Sequence, residues 1–310
     1  MDVSIIIVNY NVREFIVSCI ESIYKHSTGK IKFEIIVVDN NSVDGSSKKI
    51  SQNFPNVKII QNEKNYGFSK GCNQGASFSK GDFILFLNPD TVFIEDSLTK
   101  FIKFFNNNLN IGALGPALLN RDGSVQQSFW RYPTLFNTLL SVFFLDFLNK
   151  KKNYKAKKID DFTRVETLSG AAIFMKTNIF KDVNGFNENL FWMEDIDLCK
   201  RLSENFYLVY YLPKNEIIHF SGKSSEQNYK IKISNQLMSK IKYFRIHHSI
   251  LATIFLYISI LCSTLIKILV LFPIIIFSNT FKERFLGYLY SLNLILFFDW
   301  QHNRFSHKDL

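Results

Sequence analysis

Three carboxylates gather in residues 190–201, LFWMEDIDLCKR, where Glu194, Asp195 and Asp197 follow an aromatic run and precede Lys200 and Arg201. Two chemistries suit that pattern. Acidic residues in a first helical turn, with basic ones a turn later, stabilise an ordinary helix. Alternatively, one carboxylate takes a proton from a substrate hydroxyl, as a general base within hydrogen-bond reach does. A helix starting near Asp195 sets Asp197 and Arg201 at i and i+4, an exposed pair along its side that makes Asp197 structural. Glu194 and Asp195 are adjacent and diverge in direction, so only one of them faces a substrate squarely. A helix start stabilises the Asp195 anion and lowers its basicity; burial among Phe191, Trp192 and Met193 opposes that trend.

Other polar residues cluster in short segments. Asp39 opens DNNSVDGS (residues 39–46) and either accepts hydrogen bonds from a nucleobase or ribose or closes an Asx turn with Asn40 and Asn41. In NPD, Asn88 and Asp90 stand two apart on an extended segment and point the same way. They suit one hard cation that bridges phosphate oxygens, although NPD is also a good turn. His219, in EIIHFSGKSS, is either a ligand or a satisfied interior residue. Lys223 and Ser224 follow it in a loop with phosphate-binding chemistry, and Arg131 in SFWRYPTL suits a diphosphate or a stack on its neighbours.

These groups need elements to hold them. VSIIIVNY (Val3–Tyr10) is a β-branched run that fits a strand buried on both faces, and Asn11 after it offers a helix cap. Val12, Phe15, Ile16, Cys19, Ile20 and Ile23 then recur at helical spacing. FEIIVVD (33–39), NVKIIQ (56–61) and DFILFLN (82–88) are further strands, with helical stretches between them. Alternation of this kind predicts a parallel sheet covered on both sides, with its ligand at the C-terminal ends of the strands. The polar segments fall at those ends. No GxGxxG follows a strand, which counts against a dinucleotide fold.

In this order the segments VSIIIVNYN, VVDNNSVDGS, NYGFSKGCNQG, FLNPD, SGAAIFMK, GFNENLFWMEDIDLCKR and HFSGKSS, spanning residues 3–225, resemble the family 2 glycosyltransferases. They are most similar to the bacterial rhamnosyltransferase-like members that build surface polysaccharides. The resemblance implies an α/β GT-A fold, a Rossmann-like mixed sheet flanked by helices, and a nucleotide-diphosphate sugar donor. It implies a donor site along the strand ends at Asn9, Tyr10, Asn11, Asp39, Asn41, Asn65, Gly67, Lys70 and Asn88, with Asp39 on the nucleoside. It implies Mg²⁺ or Mn²⁺ on Asp90, with His219 near the metal or the donor phosphates. The Glu194–Asp195 pair would present the catalytic base, with Asp195 in the base's place. Two departures stand out. Asn88 replaces the first aspartate of the fold's common metal motif, a variant the rhamnosyltransferase-like members share, and VETLSGAA lacks the Trp that relatives often carry before the Gly-Ala turn.

The chain's 310 residues, 47% of them hydrophobic, are enough for one large core and a smaller appendage. A net charge of +10 asks for an anionic partner: nucleic acid, a phospholipid surface or a phosphorylated small molecule. Its basic residues sit beside apolar runs and do not interleave with aromatics on one polar face, which argues against nucleic acid. Cys19, Cys72, Cys199 and Cys262 form no close pair, consistent with a reducing cytosolic setting, and no signal peptide is expected. Residues 249–277 are apolar except for Lys267, a second apolar run covers 285–298, and Lys240, Lys242, Arg245, Lys282 and Arg284 flank the first run. They predict a hairpin returning to the cytoplasm or helices lying in the interface. Residues 135–158 join another apolar stretch to the basic cluster KKKNYKAKK, which suits anionic headgroups or a solvated face.

The combined expectation is a glycosyltransferase domain over 1–240 and a membrane-associated helical tail over 241–310, on the cytoplasmic face of a bacterial inner membrane. The acceptor is a lipid-linked glycan. The competing readings are transfer to a polyprenyl phosphate and a non-catalytic basic module that binds membrane or nucleic acid.

Overall fold

The computed structural model describes residues 1–27, 31–145, 159–220 and 229–298; Lys223, Ser224 and the basic cluster at 150–158 lie outside them. β1 (Val3–Asn9) is buried along its whole length, as a β-branched run covered on both faces must be. β2 (Phe33–Asp39) and β4 (Phe83–Leu87) flank it in parallel, and β3 (Lys58–Gln61) extends the sheet from β2. Their crossovers carry α1 (Arg13–His26), α2 (Ser46–Asn53) and α3 (Phe68–Ser77).

Beyond β4 the sheet becomes mixed. β5 (Thr91–Phe93), α4 (Ser97–Asn107), β6 (Ile111–Leu119), α5 (Leu135–Val142), β7 (Thr163–Val165), β8 (Ala172–Lys176), α6 (Thr177–Asp182), α7 (Glu194–Glu204) and β9 (Leu208–His219) follow in the chain. The sheet order is β3-β2-β1-β4-β8-β6-β9-β5, with β7 also paired to β9. β8 runs antiparallel to β4 and to β6, while β9 runs parallel to β6. The ends of β1, β2, β4, β6 and β9 therefore share one edge. The two faces follow the period of two: Val3, Ile5 and Ile7 pack with Ile16, Ile20 and Phe101, whereas Ile6 and Val8 pack with Cys72, Phe180 and Leu198. α3 approaches β1 so closely that a Cβ on Gly75 would lie 2.4 Å from Ile6 Cγ2.

Asn11 does not cap α1. Its backbone adopts φ +53°, and its side-chain oxygen accepts from Val43 N–H at 2.8 Å, which leaves Val12 at the cap position without a side-chain bond. The asparagine turns the chain out of β1 and anchors the loop after β2 instead.

Contacts sort the chain into two units. The first holds the whole sheet with α1–α4, α6 and α7. The second holds α5, residues 188–193, α8 (Tyr229–His247), α9 (Ile250–Leu271), a 3₁₀ segment (Phe272–Phe277) and α10 (Asn279–Leu296). The expected 240/241 boundary falls inside α8.

In the second unit α10 folds back along α9, since the Tyr257 hydroxyl near the start of α9 donates to the Ile295 carbonyl near the end of α10 at 2.8 Å. The hairpin buries small polar residues together with Leu256, Ile260 and Ile295, and exposes large apolar ones. Thr253, Ser263, Thr264 and Ser291 are buried, while Leu251, Phe255, Leu269 and Val270 are exposed. Lys267 turns inward, donating to the Val142 carbonyl at 2.8 Å with its ammonium 4.2 Å from the Phe144 ring centre. Lys242, expected among the flanking cations, is buried and donates to the Asn189 carbonyl at 2.8 Å, because it shares the inward side of α8 with Met238 and Ile241.

Candidate functional site

The strand ends of β1, β2 and β3 form one buried polar network. Asn9 is fully buried, and its Nδ2 donates to Asp39 Oδ1 at 2.6 Å, Ser46 Oγ at 2.7 Å and Ser42 Oγ at 3.0 Å. The other carboxylate oxygen of Asp39 accepts from Gln61 Nε2 at 2.6 Å and from Ser42 N–H at 3.0 Å, the backbone bond an Asx-type turn provides. Asn40 links this cluster to α3: its Nδ2 donates to the Gly67 carbonyl, and its Oδ1 accepts from Asn62, which pairs in turn with Gln74. Asn65 Oδ1 accepts from Gly67 N–H at 2.9 Å, and Gly67 adopts φ +84°, a conformation suited to glycine. Asn41 is exposed at φ +63°, and Tyr10 is half-buried after β1. The Lys70 ammonium lies 4.2 Å from the Tyr66 ring centre.

At the same edge, β5 pairs with β9 so that Thr91 faces His219 in register. Asp90, just before β5, is 4% exposed, and its Oδ1 lies 3.4 Å from His219 Nε2. At that separation a carboxylate and an imidazole either form an ion pair or share a cation. The pair is a mixed oxygen and nitrogen donor set that Mn²⁺ accepts readily and Mg²⁺ less so. Among the described residues no group of three His, Cys, Asp or Glu side chains could hold a metal. Asp90 and His219 are thus the described side chains that would be offered to such a cation. Asn88 reaches this region through its backbone, donating N–H to the Ala171 carbonyl at 2.9 Å. Arg131 is exposed in the segment that pairs with residues 166–169.

The acidic cluster separates into distinct environments. α7 starts at Glu194, directly after Met193, which holds φ +74°. Asp195 Oδ2 accepts from Gly170 N–H at 2.8 Å, and its Oδ1 accepts from Ile196 N–H at 2.8 Å. Burial raises the Asp195 carboxyl above its ordinary range, against the lowering effect of those two backbone donors. Glu194 is raised strongly, first by burial and then by the adjacent Asp195 charge; its Oε2 is enclosed and accepts no hydrogen bond. Phe191 and Trp192 are 51% and 41% exposed and Met193 is buried; burial raises Asp195, the direction the sequence predicts. Asp197 is corrected, because the pair it makes is not exposed. It is 0% exposed, accepts from Arg201 Nε at 2.9 Å and lies 2.7 Å from Nη2 in an ion pair, since α7 turns this face into the core beside Leu198.

The turn Gly170–Ala171 joins the two chemical centres. Its first residue holds Asp195, its second residue receives Asn88, and the chain then enters β8 with Ala172 opposite Leu87 of β4.

Against known proteins, the family model described as Glycosyl transferase family 2 matches residues 4–183, more than half of the chain. The chain belongs to glycosyl transferase family 2. Among curated members, the chain is 27% identical to the N-acetylglucosaminyl-diphospho-decaprenol L-rhamnosyltransferase of Mycobacterium tuberculosis over 62% of this chain and 67% of that protein. It is 29% identical to rhamnosyltransferase WbbL of Escherichia coli over 78% of this chain and 92% of that one. In structure it resembles the mannosyltransferase PcManGT from Pyrobaculum calidifontis, solved with GDP-Man and Mn²⁺, at a TM-score of 0.55 and 13% identity, covering 95% of this chain and 86% of that one. This family 2 enzyme is a glycosyltransferase with the GT-A fold, near the rhamnosyltransferases. Gly71 and Gly75 in NYGFSKGCNQG have a reason in the close approach of α3 to β1. Gln61, Gln126 and Gly170 carry contacts in the site that motif reading passed over. The turn residues NRDGS, just before Gln126, were the available signal.

Proposed function

We propose that this glycosyltransferase moves a sugar, rhamnose from a dTDP donor, with inversion onto a lipid-linked saccharide during surface polysaccharide assembly. One observation carries the reading: a single turn, Gly170–Ala171, fixes both the base candidate Asp195 and the NPD segment that ends in Asp90. The name of the mycobacterial relative, N-acetylglucosaminyl-diphospho-decaprenol L-rhamnosyltransferase, supports the substrate class.

In this reading the nucleoside lies on the strand-end surface built by Asn9, Tyr10, Asn11, Asp39, Asn41, Asn65 and Gly67, with Lys70 and Asn88 toward the diphosphate. Buried bonds lock Asp39 and Asn9 and so fix the shape of that surface. Asp90 and His219 would hold Mg²⁺ or Mn²⁺, which supplies charge stabilisation for the departing diphosphate. Asp195 takes the acceptor hydroxyl proton as that oxygen bonds to the anomeric carbon, and the bond from that carbon to the diphosphate oxygen breaks with its electron pair going to the nucleotide. One displacement inverts the centre. The Gly170 and Ile196 N–H groups orient the Asp195 carboxylate, while burial keeps it basic.

The second unit favours a membrane location, with domain 1–240 as the catalytic part and 241–310 as the tail on the cytoplasmic face. One described stretch, Ile250–Phe277, is long and apolar enough to cross a bilayer, and only 17% of its most apolar window is buried. Small polar residues among the buried positions of paired helices with an apolar outer face suit packing within hydrocarbon. The net charge of +10 then serves a phosphorylated donor and anionic lipid.

A panel of nucleotide sugars with Mn²⁺, followed by thermal protection and by transfer onto lipid-linked acceptors, tests the assignment. Selective protection by dTDP-rhamnose with transfer to a diphospholipid-linked saccharide is expected. Transfer to polyprenyl phosphate alone would replace the acceptor, and protection by a different nucleotide sugar alone would replace the donor.

A further inference from the structure

Gln126 is placed by a short hairpin. Asn120 N–H donates to the Ser124 carbonyl at 2.8 Å, Gly123 turns at φ +79°, and Asp122 Oδ1 accepts from Ser124 N–H at 2.9 Å. The returning strand lies against β6, with Gln126 N–H donating to the Leu118 carbonyl at 2.8 Å. Since Leu119 of β6 is in register with Ile218 of β9, the hairpin sets Gln126 beside His219.

The amide then grips that residue twice. Gln126 Nε2 donates to the His219 carbonyl at 2.6 Å and to Asn120 Oδ1 at 2.8 Å, so the amide nitrogen is committed to acceptors. Its Oε1 is thereby turned toward His219 Nδ1, at 3.1 Å. An amide oxygen can only accept, so Nδ1 carries a proton, and in the neutral ring the Nε2 lone pair then faces the side of Asp90 Oδ1, 3.4 Å away.

We infer that Gln126 is a positioning residue that presets the Nδ1–H tautomer of His219 and thereby prepares Nε2 to bind a divalent cation together with Asp90. The inference rests on the proposed role of Asp90 and His219 as cation ligands. A free histidine side chain favours the opposite tautomer, whose Nε2 proton faces any incoming cation. Holding the ring by its other nitrogen removes that rearrangement and fixes the ring plane, as hydrogen bonds behind ligating imidazoles do.

The test uses the full-length protein in detergent and two readouts other than turnover. ¹⁵N-histidine NMR of the metal-free protein, with His219→Ala to assign the signal, reports the tautomer. Calorimetric titration with Mn²⁺ alone reports affinity. Gln126→Leu should move the His219 signals toward the Nε2–H pattern and weaken Mn²⁺ binding about 10- to 100-fold, with the melting temperature in chelator little changed. Unchanged ¹⁵N signals in Gln126→Leu, or unchanged Mn²⁺ affinity where His219→Ala loses it, would overturn the inference. If His219→Ala binds Mn²⁺ as the parent does, the cation assignment of His219 falls instead, and the ¹⁵N result still judges the hold on the tautomer. Should Gln126→Leu fail to fold, Asn120→Ala releases the amide from one of its acceptors and is read by the same two measurements.

Discussion

Adjacent carboxylates acquire different properties from their neighbours alone. Asp195 has both oxygens on backbone donors, while Glu194 keeps an enclosed oxygen without one, and burial raises both carboxyls. Asp195→Asn keeps the shape and removes the proton acceptor, so steady-state turnover should fall about 10²-fold or more with donor affinity held, whereas Glu194→Gln should cost less. The reverse order would move the base to Glu194. Because both carboxyls are raised, activity should climb with pH through a limb displaced above the ordinary carboxylate range. Stability has the opposite sign. A raised carboxyl contributes most below its unfolded pKa and loses that contribution as pH rises through the folded value. Glu194→Gln should therefore flatten the fall in melting temperature toward alkaline pH. The paired acids could be read from MEDIDL, but their separate surroundings could not, since Gly170 lies 25 residues away in the chain.

At the scale of elements, α7 shows what local spacing does and does not encode. The i, i+4 pairing of Asp197 with Arg201 follows from helix geometry and is present, but its burial depends on which side α7 turns to the sheet. Asp197→Asn should cost about 3 kcal/mol in denaturant unfolding, because it leaves a guanidinium only 21% exposed without its counter-charge. A loss of a few tenths would mean that the pair behaves as an exposed one. The first four parallel strands were readable because each is a short apolar run bounded by polar turns. β6, IGALGPALL, carries Gly and Pro, which speak against a strand, yet it is buried throughout and central to the sheet. β5 has three residues and owes its existence to β9. Non-local pairing made those strands, so periodicity carried no signal for them.

For the whole molecule, the exposed apolar side of the α9–α10 hairpin makes a measurable claim about lipid. Full-length protein should float with vesicles containing anionic phospholipid. Phe255→Glu with Leu269→Glu, both on the exposed apolar side, should reduce the floating fraction several-fold, because an acidic group costs on the order of 2.5–3.5 kcal/mol in hydrocarbon. Flotation equal to the parent's would assign that face to another partner. The two apolar runs were plain in the sequence; their polar lining was not, since it is made of scattered Thr and Ser residues whose shared side only the packed hairpin reveals. The same lining bears on synthesis. The Val142 carbonyl at the end of α5 is satisfied by Ser263 and Lys267, which follow it by 121 and 125 residues. At roughly 5–20 residues per second, a ribosome makes that carbonyl wait roughly 6–25 s for its partners. During translation α5 is thus a helix whose end stays open until the hairpin emerges, an interval in which a chaperone or the membrane surface itself has time to hold it.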